Sequence, residues 1–108
     1  MTTITYNKLV RDRIPEIIRN QGKACIVTTV AEHEHLAHLN AKLAEELNEY
    51  SASGDIAELA DIAEIIRAIL KIKGVSIEQF ETIREKKRQS NGGFEKGYFL
   101  VSVEEPEP

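Results

Sequence analysis

Two consecutive helix-period stripes, interrupted once, constrain this chain more than any other feature. From Leu36 through Leu39, Leu43 and Leu47 to Tyr50, apolar residues recur at three- and four-residue steps. That spacing paints one face of a helix turning ~100° per residue. Leu59, Ile62, Ile65, Ile66, Ile69 and Leu70 repeat the pattern. Between the stripes stands Ser51-Ala52-Ser53-Gly54, a break short enough to force a tight reversal. The centre of the chain is therefore predicted to be an antiparallel helical hairpin.

Local punctuation places the other elements. A first helix is expected to start after Asp12, with Pro15 tolerated in its first turn, and to stop at Gly22. Ala24–Val30 is apolar and β-branched and reads as a short strand. The second helix is expected from about Glu32 to Tyr50 or Ser51. Asp55, with Glu58 three residues on, has the capping-box spacing and opens a third helix that ends at Lys73-Gly74. Ser76 with Gln79 repeats the signature and opens a fourth, running to about Gln89 and stopped by Asn91-Gly92-Gly93. Tyr98–Val103 reads as a last short strand, which could pair with the first. The fold expected is mainly α, a helical bundle of about four helices with two short β segments. One domain covers residues 1–103, followed by an acidic tail over 104–108.

Composition sets the function classes. The 108 residues are 42% hydrophobic and 30% charged, a globular balance. No apolar run approaches the roughly 18 residues of a membrane span, so no membrane partner is expected. The first residues lack the apolar stretch of a signal peptide. A single cysteine, Cys25, forms no internal disulfide. A cytoplasmic location is the expectation. Fourteen Lys and Arg against 18 Asp and Glu give a net charge of −4, which argues against a broadly basic nucleic-acid binder. The charges are segregated, however. Residues 1–23 carry +3, residues 24–66 carry −8, residues 67–98 carry +4 and the tail carries −3.

The acidic block holds the chemistry. On the second helix Glu46 projects ~20° from Leu39, and Glu49 lies at the edge of the stripe. On the third, Glu58 falls between Ile62 and Ile65, with Asp61 flanking it. Each pair is spaced i,i+3 and shares a helix face. Glu46/Asp61 and Glu49/Glu58 also lie symmetrically about the Ser53–Gly54 bond. In an antiparallel hairpin such pairs stand at equal heights. Four carboxylates should thus face one another on the core side, where they repel and are costly to bury unless a cation joins them. Hard divalent cations that prefer oxygen, Mg²⁺ or Mn²⁺, fit that donor set. Taken singly, each acid is equally compatible with a solvated helix surface.

The same residues carry a family resemblance. Lys42-Leu43-Ala44-Glu45-Glu46-Leu47-Asn48-Glu49, followed by Glu58-Leu59-Ala60-Asp61, resembles the ExxE…ExxD signature of the MazG-type all-α nucleotide pyrophosphohydrolases. The opening Tyr6-Asn7-Lys8-Leu9-Val10-Arg11-Asp12-Arg13-Ile14-Pro15 is similar to the start of the phosphoribosyl-ATP pyrophosphohydrolase-like branch of that superfamily. So is the close, Lys86-Lys87-Arg88 with Gly92-Gly93-Phe94-Glu95-Lys96-Gly97. The three blocks span nearly the whole chain apart from the tail. The departure is the spacer: eight residues separate Glu49 from Glu58, shorter than in many MazG relatives, which leaves less room for a base-recognition insert.

The resemblance implies an all-α fold and a homodimer or higher homo-oligomer. It implies hydrolysis of a nucleotide between its α and β phosphates, giving a monophosphate and pyrophosphate. It also implies Mg²⁺ held by Glu46, Glu49, Glu58 and Asp61. Glu45 or Glu49 is the candidate to take the proton of the attacking water, and Glu49 lies nearer the seam. Lys8, Arg11, Arg13, Lys87 and Arg88, from the basic flanks, are candidates to hold phosphate oxygens. Each is also compatible with simple surface solvation. Clearance of aberrant or excess nucleotides is preferred to a biosynthetic role. The rival from another class is a non-catalytic helical module that senses a nucleotide or docks a protein. His33, His35 and His38 lack the further ligand a zinc site needs. Asn91-Gly92-Gly93 reads more simply as a helix stop than as a phosphate cradle.

Overall fold

The computed structural model describes residues 2–108, and among these it contains four α-helices and no strand. They are α1 (Ile14–Asn20), α2 (Glu32–Ser53), α3 (Ile56–Ile72) and α4 (Ile77–Asn91). The chain divides into two compact units, Met1–Val75 with α1 to α3 and Ser76–Pro108 with α4.

In the first unit α2 and α3 pack on one another as the expected hairpin. Leu39 from α2 and Ile65 and Leu70 from α3 are buried. Glu46 is buried among the same packed helices, at 6% exposure. The reversal is tighter than the sequence suggests. Ser51, Ala52 and Ser53 continue α2, and only Gly54 leaves it, at a left-handed φ of 67°. Glycine reaches that conformation without a Cβ clash. Its N–H donates to the Tyr50 carbonyl at 2.7 Å.

Asp55 then turns extended and caps α3, its side chain accepting the Ala57 N–H at 3.0 Å. The expected capping box with Glu58 is not formed, since Asp55 accepts from the N–H of Ala57 and not from that of Glu58. The Asp55 N–H donates instead to Ser53 Oγ at 3.1 Å, which leaves the Glu58 carboxyl free for the hairpin seam.

In the second unit the capping box at the start of α4 is complete. Gln79 N–H donates to Ser76 Oγ at 3.1 Å and Ser76 N–H to Gln79 Oε1 at 2.9 Å. The helix runs to Asn91 and stops at Gly92, φ 83°.

The two short β segments are a correction. Neither Ala24–Val30 nor Tyr98–Val103 forms a strand. β-propensity describes a fit to a pleated, half-covered surface, and a strand needs a ladder partner to exist. Cys25 is tied to α1 instead, its carbonyl accepting from Arg19 Nη2 at 3.4 Å, while Ile26 stands 99% exposed. Tyr98, Phe99, Leu100, Val101 and Val103 are likewise exposed. No helix among the described residues is long and apolar enough to cross a membrane.

Candidate functional site

The hairpin brings five acids together. A carboxylate oxygen from each of Glu45, Glu46 and Glu49 lies within 4.8 Å of the others, and so does one from each of Glu46, Glu58 and Asp61. Glu46 belongs to both groups. Of the four carboxylates expected to face one another, Glu46, Glu58 and Asp61 come together across the seam, while Glu49 groups with Glu45 and Glu46 on its own helix. The short Gly54-Asp55 connection sets the register, and helical i,i+3 spacing sets the facing.

Burial makes the cluster asymmetric. Lys42 Nζ, on a side chain only 16% exposed, approaches Glu46 Oε1 at 3.5 Å and Glu45 Oε1 at 3.3 Å. Glu46 Oε2 is fully buried and, while Glu58 is ionised, has no hydrogen-bond donor among the described residues. The Glu58 carboxyl is pushed up to about 7. Hydrogen bonding with the Glu46 carboxylate is the leading cause, followed by desolvation and the negative charges of Glu49, Glu46 and Asp61. A proton on Glu58 turns two opposed acceptors into a donor and an acceptor, and so relieves the repulsion. Glu45 is shifted the other way. Its hydrogen bond with Lys8 holds its carboxyl below the usual range, and Lys42 adds to the effect against the cost of desolvation.

Two residues of the amino-terminal segment lie on this cluster. Lys8 Nζ donates to Glu45 Oε1 at 3.0 Å, and Arg11 Nη1 donates to Asp61 Oδ1 at 2.9 Å. Asn7 precedes them at a left-handed φ of 48°, a conformation asparagine tolerates better than most residues. The Lys8 ammonium also stands 5.8 Å from the centre of the Tyr6 ring.

The other basic candidates have other partners or belong to the second unit. Arg13 Nε donates to Glu16 Oε2 on α1 at 3.4 Å. Lys87 and Arg88 belong to the second unit, where Lys87 is exposed and Arg88 Nη2 donates to Glu95 Oε1 at 2.9 Å. His33 approaches only its neighbour Glu34, at 3.7 Å, and no histidine joins either carboxylate group among the described residues. Lys42 is the residue that sequence reasoning passed over. Its signal was available: it is the single base among residues 24–66, three and four positions before Glu45 and Glu46.

No family model matches the chain, and no solved structure matches it. A protein of Mycolicibacterium smegmatis, described as uncharacterized, is 48% identical over 46 residues. The match takes in 43% of this chain and 47% of that relative's length, so the chain spans about half of the protein it resembles.

Proposed function

We propose that the chain is a Mg²⁺- or Mn²⁺-dependent nucleotide pyrophosphohydrolase. It would add water across the α–β phosphoanhydride of a nucleoside triphosphate or related nucleotide and release a monophosphate and pyrophosphate. The observation that carries this reading is Glu46 Oε2, a buried carboxylate oxygen without a donor, facing an all-oxygen cluster. Buried charge of this kind is costly unless compensated, and oxygen donors suit a hard divalent cation.

Glu46, Glu49, Glu58 and Asp61 are the residues that would hold the ion. When bound, it would neutralise the polyphosphate and acidify the attacking water. The protein's own groups divide the remaining work. Glu45 is held by the largely buried Lys42, which leaves the exposed Glu49 as the carboxylate that accepts the water proton. Lys42 fixes the buried end of the cluster. Lys8 and Arg11 supply positive charge at its rim, where phosphate oxygens arrive. The resemblance of the three sequence blocks to the MazG-type enzymes supports the same reaction and a nucleotide-clearing role in the cytoplasm.

A homodimer completes this reading. Leu47, Ile56, Leu59 and Ile72 of the hairpin are exposed, so the stripes are wider than two helices cover. Pairing two hairpins would make a four-helix bundle.

The test is pyrophosphate release from a panel of nucleotides with and without Mg²⁺, in the wild type and in Asp61→Asn. Release that needs Mg²⁺ and falls by roughly 100-fold or more in the variant, with helical content intact, is the expected result. No release from any nucleotide overturns the enzyme reading in favour of a non-catalytic helical module.

A further inference from the structure

We infer that Lys8 and Arg11 are exchangeable counter-ions, paired with the carboxylates in the free protein and handed to the phosphate oxygens of an anionic ligand when a divalent cation takes their place. The inference rests on the cation-binding reading above and adds a coupling to it.

Its basis is the distribution of the two contacts. The acids form two overlapping groups that share Glu46. Lys8 pairs with Glu45, in the first group, and Arg11 pairs with Asp61, in the second. One short segment therefore places one positive charge on each group. Lys8 and Arg11 stand three residues apart in a non-helical segment, and both contacts form together.

These pairs are built to exchange. The Lys8 and Arg11 side chains are 41% and 59% exposed, and ion pairs so open to water contribute little to stability. Their partners are less exposed, which keeps the need for a counter-charge at the acids. Lys42, by contrast, is largely buried between Glu45 and Glu46 and stays in place.

A divalent cation held by Glu46, Glu49, Glu58 and Asp61 would compete with Arg11 directly for Asp61, and its positive charge beside Glu45 would repel the Lys8 ammonium. Once displaced, an ammonium and a guanidinium stand beside the site without carboxylate partners. That is the arrangement a polyphosphate requires. Cation and anion binding then favour each other, as any linked pair must.

Calorimetric titration tests the exchange directly, with Mg²⁺ alone and then with inorganic pyrophosphate on the Mg²⁺-saturated protein. The variants are Lys8→Gln/Arg11→Gln and, as a control for charge, Lys23→Gln. Lys23 belongs to the same basic block and is exposed. The double variant should bind Mg²⁺ about fivefold more tightly than wild type and bind pyrophosphate about tenfold more weakly, with Lys23→Gln close to wild type in both. If the double variant behaves like Lys23→Gln in either titration, the exchange is overturned while the cation site stands. If neither wild type nor double variant binds Mg²⁺, the cation site and the exchange fall together. Lys8→Gln alone, which keeps Arg11, provides the same comparison should the double variant not fold.

Discussion

Lys42 Nζ stands 3.5 Å from Glu46 Oε1 and leaves Glu46 Oε2 without a donor. While Glu58 is ionised, half of a buried carboxylate is compensated from within the chain and half is not; a proton on Glu58 supplies Glu46 with a further donor. A side chain held in that state lowers the stability of the free protein and favours whatever supplies the missing charge.

Replacing Glu46 with methionine removes the uncompensated oxygen while keeping the volume, and Lys42 retains Glu45. Above about pH 7, where Glu58 is ionised, stability without divalent ions should hold or rise, by up to ~1–3 kcal/mol. The gain in melting temperature that Mg²⁺ gives the wild type should vanish. Urea unfolding in EDTA, paired with thermal melts in Mg²⁺, reads both effects. A clear loss of stability in EDTA would mean that the carboxylate is satisfied after all.

Glu58 sets a pH dependence. Its carboxyl titrates near 7 in the folded chain, against an ordinary value of 4.5. Between those values the native state holds a proton that the unfolded state has released, so stability falls as pH rises. The contribution is full below about 4.5 and is lost as pH passes through about 7. Thermal melts from pH 5 to about 8 in EDTA should show this decline. Glu58→Gln should flatten it, and a slope unchanged in that variant would assign the effect to another group.

Gly54 is the one residue of the hairpin turn in the left-handed region, and a Cβ there would meet nothing within 4 Å. The cost of Gly54→Ala is therefore conformational alone, about 1–2 kcal/mol. Gly54→Asn should cost less, because asparagine visits this region more readily. Equal losses in the two variants would point to packing rather than backbone conformation.

The exposed Leu47 lies on α2 close to the acidic cluster. Charging it with Leu47→Asp should weaken the proposed dimer by at least about tenfold, equivalent to ~1.4 kcal/mol. Sedimentation velocity across a concentration series measures the change. Wild type that stays monomeric at all concentrations would remove the dimer from consideration.

What could be read in advance follows the range of the forces involved. The hairpin, the capping box at Ser76 and the meeting of Glu46 with Glu58 and Asp61 depend on contacts within a few turns and across one short connection. Residue spacing reports those directly. That residues 24–30 and 98–103 form no strand was not legible, because a strand is decided by a partner elsewhere in the chain. The pairings of Lys8 with Glu45 and Arg11 with Asp61 span 37 and 50 residues. Charge segregation announced an attraction of that kind, but it named neither acid. Asp55 and Glu58 have capping-box spacing, yet Asp55 caps through Ala57 and the Glu58 carboxyl faces the acids of the seam, a choice that spacing alone does not report.

The two-residue connection at Gly54-Asp55 also acts as a phase lock. Each residue inserted into the helical stretch between Gly54 and Glu58 would rotate the acids of α3 by ~100° and advance them by about 1.5 Å. One added residue would aim Glu58 and Asp61 away from Glu46. Four would nearly restore the direction but shift the pair by about 6 Å along the axis. The site is thereby intolerant of length changes at its centre and indifferent to them at the ends of the chain. Relatives that keep this chemistry are expected to differ in their termini and to hold the interval from Glu46 to Asp61 fixed.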